Sequence, residues 1–159
     1  MPPDYSTCRR SRNMSHFLEQ WLDETAAGPD LLVLVIFRGS WCKYDQYYLH
    51  KLSHFFNTTL KDEAVQLIAW TSEGEAGAEL ADKKWGLTEK YGFKAVLGDD
   101  TNALAEFIKE DEILPNITTV SVEDFKSKDQ LPKGSTYPKG IVMPAVVCYA
   151  HHGSPVFEW

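Results

Sequence analysis

The stretch Phe37-Arg38-Gly39-Ser40-Trp41-Cys42-Lys43-Tyr44-Asp45 gathers a thiol, a guanidinium and a carboxylate within a few residues of one another. A cysteine beside a helix N-terminus and a cation is placed for thiolate chemistry, because unpaired N–H groups and the positive end of the dipole favour the charged form. Cys42 is the candidate nucleophile, with a thiol expected below its free pKa of about 8.5. Asp45 follows one helical turn later, where a carboxylate can act as a general base, raise the thiol pKa by like-charge repulsion, or merely complement the helix dipole. Arg38 is the only arginine outside the N-terminal segment. It is close enough to orient an oxygen of a bound substrate or stabilise a thiolate, the alternative being a solvent-facing residue at a strand end. Trp41 and Tyr44 read mainly as core by their spacing, but as an aromatic wall beside the cysteine they would suit an organic substrate.

These groups need a strand and a helix to hold them. Leu31 to Phe37 is an unbroken apolar run of strand length, as expected of a strand buried on both faces, and Gly28-Pro29-Asp30 punctuates its start. From Lys43 to about Asn57 the spacing predicts a helix whose apolar face is Tyr44, Tyr48, Leu52, Phe55 and Phe56, with His50 and His54 on the other side. Asp45 lies one heptad before Leu52 and so points roughly inward.

Val65 to Trp70 reads as a second, parallel strand, and Ser72-Glu73-Gly74-Glu75 as a capping box opening a helix towards Trp85. Phe93 to Leu97 is a third strand, Gly98-Asp99-Asp100-Thr101 a turn and cap, and Asn102 to Lys109 a further helix. An earlier amphipathic helix starts at Ser15 and ends near Gly28. The polar segment Ser121 to Lys139, broken by Pro132, Gly134 and Pro138, reads as a surface loop. Ile141 to Ala150, the turn His151 to Ser154, and Pro155 to Glu158 close the chain as strand, turn and strand. Alternating strands and helices with a closing hairpin make an α/β sandwich, a mixed central sheet flanked by helices, in one domain over residues 14–159 behind a disordered tail over 1–13.

Trp41-Cys42-x-x-Asp45, with Arg38, Gly39 and Tyr44, resembles the Arg-Gly-x-Trp-Cys-Pro-Tyr-Cys stretch of thioredoxin-fold proteins in the peroxiredoxin-like branch of the alkyl hydroperoxide reductase and thiol-specific antioxidant (AhpC/TSA) superfamily. The second cysteine of that motif is Asp45 here. Gly98-Asp99-Asp100 and Met143-Pro144-Ala145 extend the resemblance. It implies a thioredoxin-like fold, a cis Met143–Pro144 bond facing Cys42, and Met143 and Pro144 beside the substrate. The strict peroxiredoxin pattern has proline seven and threonine three residues before the reactive cysteine. Val35 and Gly39 stand there instead, so the hydroxyl that would help position a peroxide is missing from residue 39, with Ser40 one place away.

The resemblance implies an antioxidant oxidoreductase with one redox-active cysteine, Cys42. A peroxide, a disulfide or another organic molecule would be its substrate, and an external thiol such as glutathione or a thioredoxin its reductant. No metal or organic cofactor is implied. Two other readings keep the fold: an enzyme of small-molecule metabolism without a redox cycle, and a non-catalytic binding module.

Net charge of −7 argues against a general nucleic-acid binder, and no apolar run approaches the ~20 residues that span a bilayer. Three cysteines without regular spacing suit a reducing, cytoplasmic setting. Cys148 lies in an apolar run and reads as structural, Cys8 as an idle tail residue. His50 and His54, and the pair His151-His152, read as solvated or turn residues rather than metal ligands. A chain stopping at Trp159 would leave an open edge that a homodimer could cover.

Overall fold

The computed structural model describes residues 31–59, 65–99, 101–102, 117–126, 128–134, 137–150 and 155–158. The tail with Cys8, the helix from Ser15, the helix after Asn102 and the turn at His151-His152 lie outside the described residues.

Strand β1 (Leu31–Phe37) is the middle of a five-stranded sheet. It pairs in parallel with β2 (Val65–Thr71), which pairs in parallel with β3 (Ala95–Gly98). On its other side it pairs antiparallel with β6 (Ala145–Ala150), which continues to β7 (Pro155–Glu158). The central position explains the unbroken apolar run: Val33, Val35 and Phe37 join the core on one face, while Leu32, Leu34 and Ile36 are buried on the other. Helix α1 (Lys43–Thr59) makes the crossover from β1 to β2, and α2 (Glu75–Trp85) with the short α3 (Leu87–Lys90) that from β2 to β3.

The α1 helix is rotated from its expected face. Asp45, Leu49 and Ser53 form the buried line, flanked by Tyr48, Leu52 and Phe56, whereas Tyr44, Tyr47 and Phe55 are exposed. The aromatic pattern misled because a polar residue is required on the core side: Ser53 Oγ donates to the Tyr91 carbonyl, where the chain entering β3 crosses the helix. His50 stacks on the Tyr91 ring at 3.8 Å and bonds to the Trp85 carbonyl oxygen at 3.2 Å. Among the described residues no cluster of three metal-ligating side chains occurs.

Two further expectations are corrected. The α2 N-cap is Gly74, without a side-chain cap, and Ser72 is buried, its Oγ accepting from Val142 N at 3.0 Å. The closing strand is also split. Ile141–Val142 (β5) pairs with Thr119–Val120 (β4) in a separate ribbon, and Met143 N donates to Thr118 O before β6 begins at Ala145. Pro144, lacking an N–H, sits at the break. The 121–139 segment is no plain surface loop, since Phe125 and Tyr137 are buried with Ile141 in a small second core.

Candidate active site

The backbone turns at the carboxyl end of β1 so that Cys42 N donates to Gly39 O at 3.2 Å and Gln46 N donates to Cys42 O at 3.1 Å. Cys42 is therefore the residue capping α1, and its sulfur faces the first-turn amides of Tyr44 and Asp45, both of which favour the thiolate. Arg38 Nη2 donates to Sγ at 3.0 Å. Expected helix-start placement and expected cation are thus both at the sulfur.

The pKa expectation is nonetheless overturned. Cys42 is only 3% exposed, and burial pushes its thiol up, above its ordinary value. The nearby Asp45 charge adds to the rise, while the two amides and Arg38 oppose it. Arg38 cannot dominate because its charge is already matched: Nη2 donates to Asp45 Oδ1 at 2.8 Å, and Nε and the Arg38 amide donate to Oδ2 at 3.1 and 2.7 Å. The same carboxylate raises the Arg38 pKa. Asp45 thus does point inward, as an anchor for the guanidinium.

The remaining backbone groups of the turn are held by residues that the sequence did not single out. Thr71 Oγ1, at the end of β2, donates to Arg38 O at 3.1 Å, and the Tyr137 hydroxyl donates to the same oxygen at 2.8 Å. Ser40 N and Oγ donate to Glu73 Oε2 and Oε1 at 2.6 and 3.0 Å. Glu73 can fold back to this turn because its side chain crosses Gly77, where a Cβ would overlap it. Ser40 is therefore engaged with Glu73 and does not supply a hydroxyl in place of the one missing at residue 39. Thr71, Glu73 and Tyr137 carried no local signal, being 33 to 99 residues from their partners.

Of the expected substrate-side residues, Trp41 is half-buried, its ring edge-on to Phe125 at 5.7 Å and its Nε1 donating to Tyr137 OH at 2.9 Å. Tyr44 is 78% exposed and its ring forms no wall beside Cys42, because position 44 of α1 looks away from the sheet. Met143 packs with Trp41 against the Phe125, Tyr137 and Ile141 cluster. Pro144 is exposed, and the Met143–Pro144 bond is trans, contrary to expectation. Register still brings it to the active end of the sheet, one step beyond the Ile36–Ala145 pair. The trans bond accords with Met143 N being drawn to Thr118 O in the second ribbon. Cys148 is buried beside β1, and burial raises its thiol pKa, as a structural cysteine should show. A cleft of ≈ 680 Å³ opens between Thr119, Ser121 and Glu123 and the Tyr137 to Gly140 segment.

A mixed sheet flanked by helices, with a cysteine at the start of the helix following the central strand, defines a thioredoxin-like fold. The alkyl peroxide-reducing bacterioferritin comigratory protein of Xanthomonas campestris superposes with a TM-score of 0.53 at 9% identity, over 84% of this chain and 69% of that one. The reduced 2-Cys peroxiredoxin of Plasmodium vivax gives 0.50 at 13% identity, over 82% and 65%. A cysteine-to-serine mutant of peroxiredoxin 6 from Arenicola marina gives 0.52 at 16% identity, over 83% and 53%. The chain thus spans between about half and about 70% of these structures' lengths. No protein-family model matches the chain, and no curated protein matches it in sequence. No helix among the described residues is long and apolar enough to cross a membrane.

Proposed function

We propose that residues 14–159 form one thiol-dependent oxidoreductase domain in which Cys42 is the single reacting cysteine. The observation that carries this reading is the guanidinium donor 3.0 Å from Sγ, held in place by a buried carboxylate. A Cys42 thiolate attacks one oxygen of a hydroperoxide; the S–O bond forms as the O–O bond breaks, and the leaving alkoxide takes a proton to become an alcohol or water. An external thiol condenses with the resulting sulfenic acid, releasing water, and a second thiol attacks the sulfur of the first, displacing Cys42 as its thiolate and leaving a disulfide of the two external thiols. With Asp45 in place of a second cysteine, the motif itself provides no resolving thiol. Burial favours the neutral thiol, and Arg38 and the helix amides are the groups that offset it by favouring the thiolate's charge.

Burial of Cys42 also supports a second reading, a binding module on the same scaffold. One experiment separates the two. Peroxide treatment followed by a sulfenic-acid trap and peptide mass spectrometry should mark Cys42, turn over only with added glutathione or thioredoxin, and vanish in Cys42→Ser. An unmodified Cys42 in peroxide-treated folded protein would overturn the oxidoreductase reading in favour of the binding module.

A further inference from the structure

Tyr137 belongs to none of the motifs read from the sequence, yet its side chain ends inside the turn that carries Cys42. It is 4% exposed, and its φ of 37° lies in the left-handed region, which a tyrosine occupies only where its surroundings compel it. Gly140 N donates to its carbonyl at 2.8 Å, closing the Tyr137-Pro138-Lys139-Gly140 turn that aims the ring.

At the other end of the ring the hydroxyl has a defined polarity. Its proton is given to Arg38 O, so toward the Trp41 indole it acts only as acceptor. The same oxygen fills the space a side chain at residue 39 would need: a Cβ on Gly39 would overlap both Tyr137 OH and Trp41 Nε1. Gly39 is therefore required by a hydroxyl arriving from 98 positions away in the chain. The Trp41 ring in turn lies 5.9 Å from Arg38 Cζ, the guanidinium whose Nη2 meets Cys42 Sγ. Hydroxyl, indole, guanidinium and sulfur are consecutive contacts.

We propose that Tyr137 is a positioning residue for Cys42, its hydroxyl occupying the space left by Gly39 and holding the Trp41 indole over the Arg38 guanidinium that faces the sulfur. Neither Tyr137 nor Gly39 is asked to touch substrate. Only the peroxide arm of the test rests on the oxidoreductase reading.

Tyr137→Phe keeps the ring and deletes both hydrogen bonds. It should fold, with a thermal transition close to wild type, while iodoacetamide alkylates Cys42 at least threefold faster at neutral pH and the rate profile moves towards acid, because the loosened indole leaves the sulfur less desolvated. Cys148 should alkylate at its wild-type rate. Gly39→Ala, which forces the hydroxyl and indole apart, should do the same, and the double variant should be no faster than the quicker single one. Peroxide turnover should move the opposite way, with kcat/KM falling about tenfold. A folded Tyr137→Phe with wild-type Cys42 rate and profile overturns the proposal, as do effects of the two substitutions that multiply. Should Tyr137→Phe fail to fold, Trp41→Phe, which removes the indole donor, carries the same expectation and the same refutation. If the wild-type protein consumes no peroxide, the oxidoreductase reading fails and the alkylation arms still decide the role of Tyr137.

Discussion

Replacing Asp45 by asparagine tests the electrostatic account of the site most directly, because it deletes one charge with almost no change of shape. Arg38 Nη2 lies 3.0 Å from Cys42 Sγ and 2.8 Å from Asp45 Oδ1, so carboxylate and sulfur are within about 6 Å of each other. At an effective dielectric near 20, two negative charges at that separation repel by about 3 kcal/mol, equivalent to about two pKa units. Arg38 is 20% exposed on its side chain, and solvent screens part of this repulsion, so removing the Asp45 charge should lower the Cys42 pKa. Alkylation of Cys42 at neutral pH should then quicken by up to about tenfold. Stability moves the other way. Asp45 is buried and accepts three bonds from Arg38, so losing its charge should cost about 2–4 kcal/mol in urea unfolding. Alkylation rate against pH, read by mass spectrometry on the folded variant, is the assay. A Cys42 profile unmoved or displaced towards alkali, in protein that urea titration shows to be folded, would refute the claim that the Asp45 charge adds to the rise in the Cys42 pKa.

Burial raises the Cys42 and Cys148 pKa values, so the native state keeps thiol protons that the unfolded chain releases near pH 8.5; this stability is complete below about 8.5 and lost as pH rises through the native values. Urea midpoints should accordingly fall between pH 8 and 10, with a shallower fall in Cys42→Ser, and an identical slope in that variant would contradict the shift assigned to Cys42. At the end of β3, a Cβ on Gly98 would overlap the backbone of Gly74 at the α2 N-terminus, so Gly98→Ala should destabilise by about 1–3 kcal/mol, and an unchanged midpoint would show that this close approach does not constrain the fold.

What local pattern alone determined was the frame of the site. The apolar run Leu31 to Phe37 reads as a strand covered on both faces, a cysteine in a Gly-Ser-Trp turn before a helical stretch reads as standing at the helix start, and an aspartate three residues on shares its first turn. These follow from periodicity and chain punctuation, which act over a few residues. The face of α1 was misjudged because aromatic residues outnumber the true core contacts on it, and what selects Ser53 for the interior is a carbonyl of Tyr91, far along the chain.

Only the tertiary structure decided the character of the thiol. Its sign depends on a contest between charge, from the neighbouring Arg38 and Asp45, and desolvation, which depends on what the sheet, the Tyr137 turn and the start of α2 bring against the Arg38–Trp41 turn. The break in the closing strand also has a tertiary origin, since a short pairing between β4 and β5 draws Met143 away from the continuous strand that its apolar neighbours suggest. Sequence spacing locates a reactive group along the chain. Its burial is set in part by residues up to 99 positions away, because packing brings together segments that the chain keeps apart.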